Sequence, residues 1–357
     1  MDFSFNEDQI ALRDSVSRLL MTEAAPEFLR EIWETDGGRS PQLRAKIAEQ
    51  GLTALSVPAE HGGLGLGDVD WSLMTQELGY YAIPDSLADT AYVAAGALVR
   101  LGADHPVSRE WLPRVADGSA RIALAHPVNP WIADLQGASL MLSAGPDAHS
   151  PRLHVVDPGS VSADRLTSID ASRRIAKREP AHEQGRPILE GAEARALWDE
   201  VLDRAALSTA GQLVGLAQRM VDLSVDYVSQ RKQFGKPIGS FQAVKHHLAD
   251  VVTRIEFARP VLYRAALALE RQEAHRSLLA SHAKLACSEA AWLASRKGIQ
   301  VHGAMGYTWE VDLQMFMKRA WTLSAAWGDP VFHKARLASG LLDAEAAPLG
   351  PGATLAA

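Results

Sequence analysis

Arg231-Lys232-Gln233-Phe234-Gly235-Lys236-Pro237-Ile238-Gly239-Ser240-Phe241-Gln242 lies between two long stretches whose apolar residues recur at the helical period. Gly235, Pro237 and Gly239 interrupt any helix here. Arg231, Lys232 and Lys236 set three cations beside Phe234 and Phe241. By residue type the stretch reads first as an ordinary basic helix–helix turn. The same cations also suit a phosphate-bearing ligand, and type alone leaves both readings open.

Upstream of the turn, Leu202, Ala206, Ala210, Leu213, Ala217 and Met220 keep a helical stripe. Downstream, Val244, Leu248, Val251 and Ile255 continue it, and Pro260 is predicted to end or kink that helix. Leu278 to Lys297 predicts a further helix closing at Gly298. Residues 201–345 thus read as a helical bundle, and 346–357, rich in Ala, Gly and Pro, as a disordered tail.

The opposite end, residues 1–118, also reads as helical. Asn6 and Gln9 form a capping-box pattern before a stripe of Ile10, Leu12, Val16, Leu19 and Leu20. Leu43–Gln50, Trp71–Tyr80 and Asp89–Leu101 are further helices. Gly62, Gly63, Gly65 and Gly67 mark a loop, which lacks the Lys-Ser/Thr of a phosphate-binding loop. Between these ends, residues 119–200 change texture: Ala120–Ala125, Ser139–Ser143 and Leu153–Val156 are short apolar runs separated by turn residues, predicting a small sheet or barrel. The expected fold class is therefore mostly α with a small middle β domain.

Composition narrows the functional classes. A net charge of -7 argues against a nucleic-acid binder. The single Cys287 excludes an internal disulfide framework and a Cys-rich metal site, and no metal-ligand spacing is found. The N-terminus carries no signal-peptide pattern, and no apolar run approaches membrane-spanning length, so a cytoplasmic, non-membrane protein is expected.

Three blocks, in this order and spacing, resemble the acyl-CoA dehydrogenase family over nearly the whole chain. They are Gly51-Leu52-x-x-Leu55-x-Val57-Pro58-x-x-His61-Gly62-Gly63-Leu64-Gly65 with Gln76-Glu77-Leu78-Gly79; Arg231-x-x-Phe234-Gly235-x-Pro237-Ile238-x-x-Phe241-Gln242; and Ile299-Gln300-Val301-His302-Gly303-Ala304-Met305-Gly306-Tyr307-Thr308. The resemblance implies an N-terminal helical domain, a β-barrel-like middle domain and a C-terminal four-helix bundle. It also implies FAD-dependent α,β-desaturation of an acyl-CoA thioester, with electron-transfer flavoprotein or a similar acceptor downstream. In the family, residues matching Arg231, Phe234, Gln242, Gln300 and Gly303 serve a FAD held mainly by the neighbouring subunit. Ala304 replaces a usual second glycine.

The departures are one-sided. The family's two base positions fall on Trp327 and Ala205, neither of which accepts a proton. Asp203 is a weak substitute, since two residues on a helix turn it about 200° from Ala205; otherwise it reads as a solvated or salt-bridged residue. The flavin-holding middle motif is reduced to Ala125-His126-Pro127-Val128-Asn129-Pro130-Trp131. Thr167–Arg174 carries no chemistry legible from type, although Asp170-x-x-Arg173-Arg174 resembles the family's strand before the last helical domain. Groups acting on the chain's own flavin are missing, while groups reaching a partner's remain. That resembles the base-lacking subunit of actinobacterial α2β2 acyl-CoA dehydrogenases, which act with a paralogous subunit, often on bulky CoA thioesters. The alternatives are an autonomous homo-oligomeric dehydrogenase with a displaced acid, or a flavin-free structural or CoA-binding homologue. His302 is expected to be a satisfied structural group.

Overall fold

A computed structural model describes residues 3–129, 131–145, 150–178 and 185–342. The expected tail, 346–357, lies outside the described residues. The chain opens with α1 (Glu7–Glu23), α2 (Pro26–Glu34), α3 (Pro41–Glu49) and α4 (Asp68–Tyr80). A π-helical turn, Asp89–Ala94, runs into α5 (Ala95–Leu101), and α6 (Pro106–Ala116) follows. Asn6 and Gln9 make the reciprocal capping box that the sequence predicts. The glycine-rich loop folds on itself: the N–H groups of Leu64, Gly65 and Leu66 donate to the carbonyls of Ala54, Val57 and Leu55. Those donors are consumed inside the loop.

Among the described residues, seven short strands form the middle layer: β1 (Ile122–Ala125), β2 (Ile132–Ala133), β3 (Leu140–Ser143), β4 (Leu153–Val156), β5 (Ala163–Leu166), β6 (Ile175–Arg178) and β7 (Arg186–Leu189). One sheet has the order β1-β3-β4-β7, with β1 parallel to β3 and Ile122 opposite Leu140; the other has the order β2-β6-β5. The strand period of two sorts the side chains. Ile122, Leu124, Leu140 and Leu142 join the main helical core, while Ala123, Ala125 and Met141 pack with Ile132 and Ala176 of the second sheet. Burial on both faces explains why these strands read as unbroken apolar runs.

The last layer is α7 (Gly191–Gln230), a two-stranded turn of β8 (Lys232–Gln233) and β9 (Lys236–Pro237), α8 (Gln242–Glu270), α9 (Arg276–His302), α10 (Leu313–Ala325) and α11 (Pro330–Leu342). Three details correct the sequence reading. α7 starts at Gly191, ahead of residue 201. α8 runs through Pro260, because burial of Ile255, Ala258 and Leu262 outweighs the lost hydrogen bond. α9 runs through Gly298, where a Cβ would meet Leu313 at 3.1 Å, so this glycine serves packing and does not stop the helix.

At 40 residues, α7 is about 60 Å long and forms the spine of the molecule. It meets α4 at backbone contact. A Cβ on Gly79 would fall 2.1 Å from the Gln212 carbonyl oxygen, and one on Gly215 would fall 1.9 Å from that of Gln76. This crossing brings the N-terminal helices, the β layer and α10 together beside the middle of α7.

Candidate functional site

The structure separates two places that the sequence reading joins by resemblance. The first is a cleft between the α4–α5 connection, β2, α7 and α10, lined by Asp89, Asp134, Arg173, Thr209, Arg319 and Trp327 among others. Its cavity is about 50 Å³. Trp327 is one of the two positions at which the resemblance would place a base. Ala205 is fully buried, and its carbonyl accepts from the hydroxyl of Thr209, which does line the cleft.

Trp327 is held on every side. Its backbone is left-handed, φ 56°, an uncommon conformation for a bulky residue. Its N–H donates to Asn129 Oδ1 at 3.3 Å, and its carbonyl accepts from His333 Nε2 at 3.0 Å. Its side chain lines the cleft together with Asp89. Burial holds His333 down to about 4, with Lys284 adding to the effect, so the imidazole is neutral at neutral pH and fills a structural role. Burial likewise lowers His126, beside the Trp327 ring, to about 4.

Charged side chains occupy the rest of the cleft. Arg39 forks onto Asp134 at 2.5 and 3.0 Å, and the Ser86 N–H adds a third bond to that carboxylate. Burial opposes ionisation of Asp134, but Arg39 and Ser86 outweigh it and hold its carboxyl below the usual range. Buried Arg319 donates to Ser172 Oγ and the Ile83 carbonyl and sits 3.6 Å from buried Asp170. Burial pushes Asp89 up to about 6, against the pull of Arg173. The stretch Thr167–Arg174, unassigned by residue type, is thus a hub of buried polar contacts. It forms the turn entering β6, and β7 intervenes before α7 begins.

Asp203 is not solvated. It is buried, accepts from Ser277 Oγ, and pairs with Arg336 at 2.7 Å on the side of α7 that faces α9 and α11. Burial outweighs Arg336 there and raises its carboxyl above the ordinary value. It does not line the cleft.

Behind Trp327, Lys284 is buried and donates to the carbonyls of Leu323 and Ser324, at 2.8 and 3.0 Å. Burial lowers it to about 7 and raises neighbouring Cys287 to about 12. The folded lysine therefore binds fewer protons than the unfolded one between pH 7 and its ordinary value of 10.5. Stability must rise with pH across that window, by about 1.4 kcal/mol for each pH unit. Lys284→Met should abolish this rise in urea titrations at pH 7 and pH 10, and an unchanged difference would refute the assignment.

The second place is the far end of the bundle. Val228 of α7, Leu248 of α8 and Val301 of α9 form a small cluster with Tyr227, Ile238 and Val244 around it. Tyr227 stacks on His302 at 4.2 Å, and His302 Nδ1 bonds the Gly298 carbonyl at 2.8 Å, which makes His302 the structural group expected. The cluster draws the basic turn and the Gln300–Gly303 block to one end. Arg231 caps α7 through its N–H, is exposed, and has no ion pair among the described residues. Phe234 is 91% exposed at a left-handed φ of 54°. Gln242, Gln300 and Gly303 are exposed too, and Gly303 closes α9 at φ 61°, with open space among the described residues where a Cβ would stand. Lys236 lies over the Phe241 ring, 4.4 Å from its centre.

Residues 6–119 match the acyl-CoA dehydrogenase N-terminal domain, and residues 196–342 match the acyl-CoA dehydrogenase C-terminal domain, one span on each side of the β layer. The chain belongs to the acyl-CoA dehydrogenase family. Acyl-CoA dehydrogenase IpdE2 of Mycobacterium tuberculosis is 34% identical over 321 residues, 88% of this chain and 91% of that one. The probable acyl-CoA dehydrogenase YngJ of Bacillus subtilis is 26% identical, covering 96% of this chain and all of its own length (100%). Two solved structures share the fold at a TM-score of 0.83: a variant of the Tcur3481-Tcur3483 steroid ACAD, at 24% identity over 96% of this chain and 99% of that one, and the ChsE4-ChsE5 complex from Mycobacterium tuberculosis, at 20% over 97% and 100%. As a family member the chain is an oxidoreductase of acyl-CoA chemistry. Among its described residues no helix is long and apolar enough to cross a membrane.

Sequence reasoning missed the charged cleft. Arg39, Asp89, Asp134, Arg173 and Arg319 are scattered along the chain, and residue type does not show that a charge is buried.

Proposed function

We propose that this chain is the base-lacking subunit of a heteromeric FAD-dependent acyl-CoA dehydrogenase, completing a FAD site held mainly by a paralogous subunit. One contrast carries the reading: its own base cleft is filled by Trp327 and ion pairs, while its basic turn stands exposed with a bare phenylalanine and an arginine unpaired among the described residues. A cavity of about 50 Å³ does not fit a flavin ring. The bundle end does fit the anionic half of the cofactor. Arg231 offers a forked donor to pyrophosphate oxygens. Gly303 carries no side chain to block close approach, and Phe234 offers an aromatic face to the neighbouring subunit. Gln242 and Gln300 add amide donors at the same end. FAD, when bound, supplies the hydride acceptor for desaturation between Cα and Cβ of the thioester; this chain binds and orients, and the α-proton goes to a carboxylate of the partner.

The two-protein names of the Tcur3481-Tcur3483 and ChsE4-ChsE5 neighbours support a paired assembly, and the first is named for steroid substrates. A bulky acyl group is the corresponding expectation here, with electron-transfer flavoprotein or a similar protein taking the electrons. The chain purified alone should hold no stoichiometric FAD and oxidise no acyl-CoA; full flavin and turnover in that preparation would defeat the proposal.

Asp89 supports a second reading, an autonomous enzyme with a displaced acid. It is the carboxylate beside Trp327 in the cleft, and it titrates near the range a general base needs. On this reading Asp89→Asn removes turnover; on the first, turnover of the assembled complex survives it.

A further inference from the structure

A second cavity, of about 240 Å³, lies between the α2–α3 loop and the sheet β2-β6-β5. Pro41, Leu135, Ile175 and Ala176 give it apolar walls, and Arg39, Arg121, Arg165 and Arg174 also line it. Its one carboxylate is Asp134, already forked by Arg39. Arg174 is engaged by the carbonyls of Trp33 and Thr35, at the end of α2, and of Ala171, in the turn before β6. Two cations keep donors to spare. Among the described residues Arg165 reaches only Asp36, at 3.4 Å, and that carboxylate is fully exposed. Arg121 shares Asp85 with Arg44, and its Nε is buried without an acceptor among the described residues.

The local charge is unbalanced. Arg39, Arg44, Arg121, Arg165 and Arg174 are five cations against the three carboxylates Asp36, Asp85 and Asp134, an excess of two. A planar guanidinium matches the oxygens of carboxylate and phosphate. The volume lies below the roughly 300–1,000 Å³ of pockets for drug-sized ligands, which excludes a whole dinucleotide.

We propose that this cavity binds a small organic oxyanion, a carboxylate or phosphate monoester on a compact apolar body, with Arg121 and Arg165 taking its oxygens and Leu135, Ile175 and Ala176 enclosing its body. The proposal is independent of the flavin reading, since neither Arg231 nor Trp327 lines this cavity. Arg39, Asp134 and Arg174 line both this cavity and the base cleft, so a bound anion acts on the electrostatics of the cleft through Asp134.

Calorimetric titration of the full chain at low salt, with benzoate, phenyl phosphate and neutral benzyl alcohol as probes, tests it. At least one anion should bind saturably at one per chain, the stronger of the two identifying the head group, and benzyl alcohol should not bind. Arg121→Gln and Arg165→Gln should each weaken the anion about tenfold, as loss of a charge-assisted bond requires. Arg165 is exposed, so its variant keeps the native melting temperature and separates binding from folding. Absence of binding by both anions, equal binding of the alcohol, or an affinity unchanged in a folded Arg165→Gln protein would overturn the proposal.

Discussion

Arg231→Ala should strip FAD from the proposed complex of this chain with a paralogous subunit while leaving both chains folded and associated. The side chain is exposed and unpaired among the described residues, so its removal costs the fold little. The pyrophosphate, by contrast, loses a forked cation, and charge-assisted bonds carry about 1.5–3 kcal/mol each. Two such bonds correspond to a weakening of roughly a hundredfold or more. Arg231→Lys keeps the charge but not the fork, and should retain FAD at intermediate affinity. Absorbance of released flavin against protein measures this directly. An Arg231→Ala complex that retains its flavin would remove the trans-site role from the turn.

Arg336→Ala should damage the fold severely. Among the described residues it leaves Asp203, 1% exposed, with only the Ser277 hydroxyl against its charge. Breaking one side of a buried pair costs about 3–5 kcal/mol. The pH dependence has a definite sign. Asp203 already titrates above its ordinary 3.8, and removing Arg336 raises it further. A carboxyl raised in the folded state binds more protons there than when unfolded, so stability falls as pH climbs through that interval. The deficit of Arg336→Ala should therefore be largest at neutral pH and shrink toward pH 4, as equilibrium urea unfolding can measure. A deficit independent of pH would show that Arg336 acts through packing alone.

These two arginines illustrate what the sequence discloses and what it withholds. Arg231 is legible because its neighbours are: glycines, a proline and two phenylalanines fix a turn between two periodic helices, and α7 and α8 end and begin where that pattern predicts. The capping box at Asn6 and the cores of β1, β3 and β4 are legible for the same reason, since local chemistry decides them. Arg336 is not legible, because nothing around it in the chain announces Asp203 on a helix 133 residues away. The cleft is hidden in the same way, as its charges converge only through the crossing of α4 with α7. β5 and β7 escape detection because Ala163-Asp164-Arg165-Leu166 and Arg186-Pro187-Ile188-Leu189 are partly exposed and polar, without a strand's alternation. Pro260 and Gly298 mislead in the opposite direction. Each reads as a stop signal, yet core packing carries both helices through.

The central claim is that two chains share one flavin site, with this chain supplying the phosphate-side contacts and no base. Co-expression with the paralogous subunit, followed by counting flavin per pair, tests it most directly. One FAD is expected for each pair of chains and none on this chain alone. Two FAD per pair, or a full complement on this chain by itself, would contradict it.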